Sequence, residues 1–249
     1  MFKQLTSKPK RLENYSQKEV VRSEPNTDKF ALQQPHLTII VGKTGTGKTN
    51  LLCNLLYDSL KWTRLYLNAK DLSESKYVTL FEACHRAQFQ NKSCPLETFY
   101  EFNNLPENIV SVDDLDAKER NVIIFDDFIT DKSADRKIND LCIRGRKKNV
   151  SIIYLGQSYF DIPKIVRLQA GYLIFFKTHD NREIGNIYQN HSLGLDKKTF
   201  SDLYYEATKE PYSFLLIDNV TNDEDLKIRK NFYYGFSKNS KIQKNLKQF

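Results

Sequence analysis

Apolar positions along this chain fall into short runs that alternate with stretches of helical period. Leu37–Val41 is an apolar run ending at Gly42, as a buried strand would. Lys48–Trp62 carries Leu51, Leu52, Leu55, Leu56 and Leu60 at helical spacing. Arg64–Leu67 predicts a second strand, and Ser73–Phe89 a second helix with Tyr77, Leu80, Phe81 and Cys84 on one face. Glu97–Phe102 alternates as a strand, and Val122–Phe125 is an apolar run closed by two aspartates. A helix over Ala134–Arg146, a strand over Ser151–Leu155, a short helix over Ile162–Leu168 and a buried strand over Tyr172–Phe176 follow. Asn181–Gln189 and Lys197–Ala207 predict two further helices, Tyr212–Asp218 a strand, and Leu226–Tyr234 a last, basic strand. Apolar strands alternating with helices predict an α/β fold, its sheet mainly parallel and covered by helices on both faces.

Composition adds boundaries. Residues 1–35 are polar and interrupted by Pro9, Pro25 and Pro35, which predicts an N-terminal arm ahead of a domain spanning 36–236. The formal charge of +7 arises at the other end, where Lys227, Arg229, Lys230, Lys238, Lys241, Lys244 and Lys247 are accompanied by no acid. The rest of the chain is balanced. Residues 237–249 read as a basic tail, either a solvated end or a segment attracted to a polyanion such as DNA. No apolar stretch approaches the ~20 residues of a membrane helix, and MFKQLTSKPKRLENYS lacks the apolar centre of a secretory signal. A soluble intracellular protein is expected. Cys53, Cys84, Cys94 and Cys142 are scattered, which fits reduced thiols better than zinc ligands or a disulfide framework; only Cys84-His85 with Cys94 forms a cluster, at the wrong spacing for a metal.

Chemistry enters at the end of the first strand. Gly42-Lys43-Thr44-Gly45-Thr46-Gly47-Lys48-Thr49 has the GxxxxGK[ST] spacing, between an apolar strand and an amphipathic helix. The glycines let successive N–H groups turn toward phosphate, and the helix start adds its positive dipole end. Residues 42–50, through Asn50, are thus expected to bind ATP. Lys48 would neutralise the β- and γ-phosphates, and the Thr49 hydroxyl would ligate Mg²⁺. The run Asn121-Val-Ile-Ile-Phe-Asp126-Asp127 supplies a matching Walker B element. It places Asp126 to hold Mg²⁺ and Asp127 to orient the attacking water, at the strand end where open α/β sheets hold ligands.

Two further features suggest an ATPase acting on a polymer. Ser151–Leu155 leads into Gly156-Gln157-Ser158, so Gln157 would sense the γ-phosphate if this strand lies beside the first. The helix after the aspartates ends in Arg144-Gly145-Arg146-Lys147-Lys148. Basic residues suit a helix C-terminus in any case, but Arg146, and second Arg144, could reach a neighbouring subunit's γ-phosphate. A GTPase is disfavoured because Asn91-Lys92-Ser93-Cys94 does not complete the guanine-reading NKxD motif. A nucleoside or nucleotide kinase fits the size, although paired aspartates suit water activation better than transfer to an acceptor. A DNA helicase of the same P-loop class and a non-hydrolytic, nucleotide-gated module are further alternatives.

The series IIVGKTGTGKTNLL, NVIIFDDF, RGRKKNVSIIYLGQSYFDIPKIVR and YSFLLID resembles the genome-packaging ATPases of nucleocytoplasmic large DNA viruses and virophages, the poxvirus-type branch of the FtsK–HerA superfamily. The similarity runs from about His36 to Asp218. It implies an ASCE/RecA-like P-loop NTPase forming a pentameric or hexameric homo-oligomeric ring. Such a ring pumps double-stranded DNA into a preformed capsid through capsid or portal partners. Host cytoplasm and virion are the implied locations. Carried over by position, Lys48 and Thr49 match the Walker A pair, Asp126 the Walker B acid, Gln157 the sensor, and Arg144/Arg146 the region of the trans-acting arginine. The superfamily often has Glu where this chain has Asp127, a side chain one methylene shorter. Lys147, Lys148, Lys164 and Arg167 are candidate DNA contacts; Tyr159 and Phe160 more often serve a core in such a position.

Overall fold

The computed structural model describes residues 3–4, 32–90, 99–128 and 132–236. Most of the expected arm, the expected tail and Cys94 lie outside these residues. Ten strands form a single sheet: β1 (Lys3–Gln4), β2 (Leu37–Val41), β3 (Arg64–Ala69), β4 (Phe99–Asn103), β5 (Asn121–Asp126), β6 (Val150–Gly156), β7 (Tyr172–Phe176), β8 (Phe214–Asp218), β9 (Ile228–Lys230) and β10 (Tyr234–Gly235). Their order is β1-β10-β9-β8-β7-β2-β6-β5-β3-β4. Strands β4, β3, β5, β6, β2 and β7 run parallel, and β8, β9, β10 and β1 extend the sheet antiparallel.

The helices are α1 (Lys48–Asn54), α2 (Ser75–Gln90), α3 (Lys132–Arg144), α4 (Lys164–Gln169), α5 (Asn181–His191) and α6 (Lys197–Ala207). Alternation along each strand divides the core in two. Ile39, Ile123, Phe125, Ile152, Leu173 and Leu215 face Ile138, Leu141, Val166, Ile184, Phe200 and Leu203 of α3–α6. Ile40, Leu65, Leu67, Ile124, Ile153 and Ile174 face Leu51, Leu52, Tyr77, Leu80 and Cys84 of α1 and α2. The expected parallel sheet with helices on both faces is therefore present. Strands buried on both faces are apolar at most positions, which is why these runs are legible; the few buried polar residues, such as Thr38, Asn68 and Ser151, are exceptions.

Three local expectations change. The helix after the glycine loop does not continue to Trp62: it loosens into a π-helical turn over Leu55–Ser59, closed by Leu60 N–H donating to Leu55 O at 2.8 Å. Phe81 does not share the buried face of α2; it is 44% exposed and packs on the edge-strand rings of Tyr100 and Phe102. The stripe through Tyr77, Leu80 and Cys84 already fills the space over the sheet.

The last basic strand is broken into β9 and β10 by a turn, and its cations are internally compensated. Arg229, 1% exposed, donates to Asp218 Oδ2 at 2.6 Å; Lys230 pairs with Glu210 at 3.0 Å, and Lys227 pairs with Glu224. Removing one member of a buried pair like Arg229–Asp218 leaves an uncompensated charge, costing about 3–5 kcal/mol. Among the described residues this segment is accordingly not a free basic surface. Cys53 and Cys84 are buried, burial pushes the thiols of Cys53 and Cys142 up to about 12, and no group of His, Cys, Asp and Glu among the described residues could hold a metal ion. No described helix is long and apolar enough to cross a membrane.

Candidate nucleotide-binding site

The position of β6 makes the site. It lies between β2 and β5, with Val41 level with Gly156 and Leu155 level with Asp126. The glycine loop after β2, Gln157 after β6 and Asp126-Asp127 at the end of β5 therefore leave the same sheet edge. Adjacent strands are ~4.8 Å apart, so the loop and the carboxylates lie about 10 Å from one another.

The loop is shaped by glycine where it must be. Gly45 has φ +81° and Gly47 φ +107°, conformations that side-chain-bearing residues rarely adopt. A Cβ at Gly42 would meet Thr46 Oγ1 at 2.5 Å and Phe176 Cβ at 2.8 Å, so this turn closes only without one. Gly42 N–H donates to Gly156 O at 3.1 Å, and Thr46 donates to Lys43 O from both N–H (3.2 Å) and Oγ1 (2.7 Å). The N–H groups of Gly45, Gly47, Lys48 and Thr49 find no backbone acceptor among the described residues. They are the orphan donors of a loop and helix start, the arrangement that accepts a phosphate. Lys48 is 8% exposed, and its Nζ donates back to Gly42 O at 2.6 Å, so its charge sits within the loop. Asn50 follows Thr49 in the first turn of α1.

Across the edge, Asp126 is 9% exposed and its carboxyl is pushed up to about 6, chiefly by burial. The buried Tyr77 hydroxyl donates to Asp126 Oδ2 and opposes that shift; the neighbouring Asp127 charge adds to it, Lys48 lowers it and Glu74 raises it. Lys48 and Asp126 thus feel each other's charge at one end of the sheet. Asp127 has a left-handed backbone (φ 44°) and accepts from Gln157 Nε2 at 2.9 Å. A non-glycine residue held there costs about 1–3 kcal/mol, a strain characteristic of functional turns. A hydroxyl at Thr49 and a hard carboxylate at Asp126 are ligand types suited to Mg²⁺.

The remaining candidates lie elsewhere. Arg144 and Arg146 are at the far end of α3, where Asn149 N–H donates to Arg146 O and Asn121 N–H to Asn149 O, at the start of β5 and β6. Strands of six or seven residues put them roughly 20 Å from the loop of their own chain. Arg144 pairs with Asp113 and, at 3.6 Å, with Asp140; Arg146 is exposed. Lys148 Nζ donates to Leu115 O at 3.0 Å, while Lys147 and Lys164 are exposed. Arg167 donates from Nε to Ile162 O at 3.0 Å, with its guanidinium 5.1 Å from the Tyr159 ring centre and 4.8 Å from that of Phe160. Tyr159 is a core residue whose hydroxyl meets His191 Nε2 at 2.7 Å, whereas Phe160 is 48% exposed.

Nothing in the sequence points to Tyr77, because a helical tyrosine on an apolar face reads as core. Its importance comes from a partner far away in the chain, on β5. Removing its hydroxyl takes away a donor to the ionised carboxylate, so the Asp126 pKa rises further above about 6. For Tyr77→Phe, the acid limb of kcat/KM for Mg²⁺-dependent ATP hydrolysis is expected to move to higher pH, with a loss of about tenfold at pH 6–7. A pH–rate profile of wild type and variant from pH 5 to 8.5 measures both; superimposable acid limbs would dissociate Tyr77 from the titration.

Comparison with known proteins places this geometry. No curated protein matches the chain. Among solved structures, B204, the DNA-packaging ATPase from Sulfolobus turreted icosahedral virus, is similar at a TM-score of 0.53 and 16% identity, over 80% of this chain and 98% of that one. The genome packaging NTPase B204 from Sulfolobus turreted icosahedral virus 2, in complex with ATPγS, gives 0.50 and 15% over the same shares. EssC (ATPases 2 and 3) from Geobacillus thermodenitrificans gives 0.50 and 11%, over 86% of this chain and 43% of that one. At such identities the likeness is one of fold, that of P-loop ATPases. The profile of the poxvirus A32 protein matches residues 26–245, nearly the whole chain, and the chain belongs to that family.

Proposed function

We propose that this protein is an ATP-driven double-stranded DNA translocase that packages a viral genome into a preformed capsid. The observation that carries the reading is the meeting, at one sheet edge, of a phosphate-type loop, a buried lysine and a carboxylate pair bridged to Gln157. Family membership supports it, as does the fold shared with B204, itself described as a DNA-packaging ATPase.

In this reading the orphan N–H groups of Gly45, Gly47, Lys48 and Thr49 and the Lys48 ammonium hold the triphosphate. Thr49 and Asp126 hold Mg²⁺, which when bound withdraws charge from the phosphate oxygens. Asp127 accepts a proton from the attacking water, and Gln157, already hydrogen-bonded to Asp127, reports the γ-phosphate to β6 and the loop that follows it. Arg146, with Arg144 second, acts on the site of the next subunit in a pentameric or hexameric ring. Lys147 and Lys164 offer exposed charge to DNA phosphates; Lys148 and Arg167 contribute only by exchanging their present carbonyl partners. Capsid or portal proteins are the docking partners, in the host cytoplasm and virion.

The test is steady-state release of phosphate with and without double-stranded DNA. DNA is expected to stimulate turnover with little sequence preference, and the stimulation to fall steeply as salt rises, since phosphate contacts release counterions. Phosphate passed to a nucleoside or nucleotide acceptor instead of water would make this a kinase. Strand separation on a forked duplex would make it a helicase.

A further inference from the structure

Gly47 lies close to two aromatic rings. A Cβ built there would meet Tyr212 Cδ1 at 3.2 Å and Phe176 Cε1 at 3.6 Å. Phe176 is core, packed against Phe214, and its carbonyl accepts from Tyr204 Oη at 2.6 Å. Tyr212 is the opposite case: 68% exposed, with φ +62°. A bulky residue seldom adopts that conformation, and here the surrounding turn enforces it. Ser213 donates to Glu210 O from N–H at 3.2 Å and from Oγ at 2.7 Å. Glu210 is tied to Lys230 at 3.0 Å, and Phe214 N–H donates to Asn231 Oδ1 at 3.1 Å. None of these bonds uses the Tyr212 ring.

Topology explains why the ring is where it is. Strand β8 runs antiparallel to β7, with Phe214 opposite Phe176, so residue 212 emerges at the edge from which the glycine loop leaves β2. A triphosphate held by the N–H groups at the start of α1 leaves its sugar and base outside the loop, on the surface that flanks it. A fixed aromatic ring with most of its surface open to solvent is what a planar heterocycle binds there, because stacking needs only a free π-face.

We propose that Tyr212 is the base platform of the nucleotide site, its ring stacking on the nucleobase of the bound triphosphate. This rests on reading the glycine loop as a triphosphate site. The unfavourable backbone conformation is the means by which the ring is held against Gly47 and away from the core. Stacking reads the π-face common to all bases, so the platform retains a nucleotide over a bare polyphosphate while distinguishing adenine from guanine only weakly.

Calorimetric titration of the full chain with Mg·ATPγS and, separately, magnesium tripolyphosphate tests this. Three proteins are compared: wild type, Tyr212→Phe and Tyr212→Gly, the last of which removes the ring and also relieves the backbone. Tyr212→Gly is expected to bind ATPγS about tenfold or more weakly, to bind tripolyphosphate as wild type does, and to melt no lower than wild type without ligand. Tyr212→Phe is expected to keep ATPγS affinity within about twofold, because the π-face is retained. Unchanged ATPγS affinity in Tyr212→Gly overturns the proposal. So does a parallel loss for both ligands, which would mean that the ring merely shapes the loop. If wild type binds neither ligand, the nucleotide reading of the loop itself falls, and the platform with it.

Discussion

Replacing Lys48 with alanine is expected to lower ATP turnover by about 10²–10³-fold, the usual loss when a preorganised charge aimed at a developing anion is removed. Two structural facts make the effect large. The ammonium is almost wholly buried and held 2.6 Å from Gly42 O, so bulk water does not readily replace it. It is also one of the charges that lower the Asp126 pKa. Without it the carboxylate ionises less readily, so the proposed phosphate contact and the proposed metal ligand would be weakened together. Phosphate release by Lys48→Ala beside wild type, with matching melting curves to show that the variant folds, measures the effect. Turnover within about threefold of wild type would remove the loop from the chemistry.

The second large effect is expected at the opposite end of the sheet. Arg146→Ala is expected to cost about 10³–10⁵-fold in turnover if its guanidinium completes the site of the next subunit. The geometry forbids a contribution within one chain, since the residue lies about two-thirds of a small domain's width from its own loop, roughly 20 Å along β5 and β6. Arg144 is already engaged by Asp113 and Asp140, which is why Arg146 is the stronger choice. Mixing decides the matter. In a ring assembled from equal amounts of Arg146→Ala and Lys48→Ala subunits, about a quarter of the interfaces unite an intact Lys48 with an intact Arg146. Turnover recovered to that order, from two inactive proteins, demonstrates a shared site; a mixture as inactive as its parts argues against one.

These expectations draw on different depths of information. Lys48 and Thr49 could be placed from the sequence because the phosphate loop is local: a strand, a glycine turn and a helix start are contiguous, and their conformations follow from neighbouring residues. The same holds for Asp126 and Asp127, because an apolar run buried on both faces announces its strand and hence its exposed end. Gln157 was legible only conditionally. Its relevance required β6 to be inserted between β2 and β5, and that is a matter of long-range pairing.

The misplaced features share one cause. Phe81 has the spacing of a core residue, yet it joins the rings of the edge strand because the width of the sheet ends there. Arg229 has the look of surface charge in a basic segment, yet it is buried against Asp218 because β8 and β9 pair. Tyr212 was expected to open a strand, yet it stands two residues before one, in a left-handed turn against Gly47.

Taken by itself, the amino-acid order determined the α/β class, the glycine loop and the aspartates that close β5, since each depends on hydrophobic period or turn chemistry within a few residues. Only the tertiary structure decided that Tyr77 holds Asp126, that Tyr212 flanks the loop, and that the arginines face away from their own site. Those are contacts between segments far apart in the chain. No local propensity encodes them; they arise when strand order brings separate segments to one edge and sends others to the opposite edge.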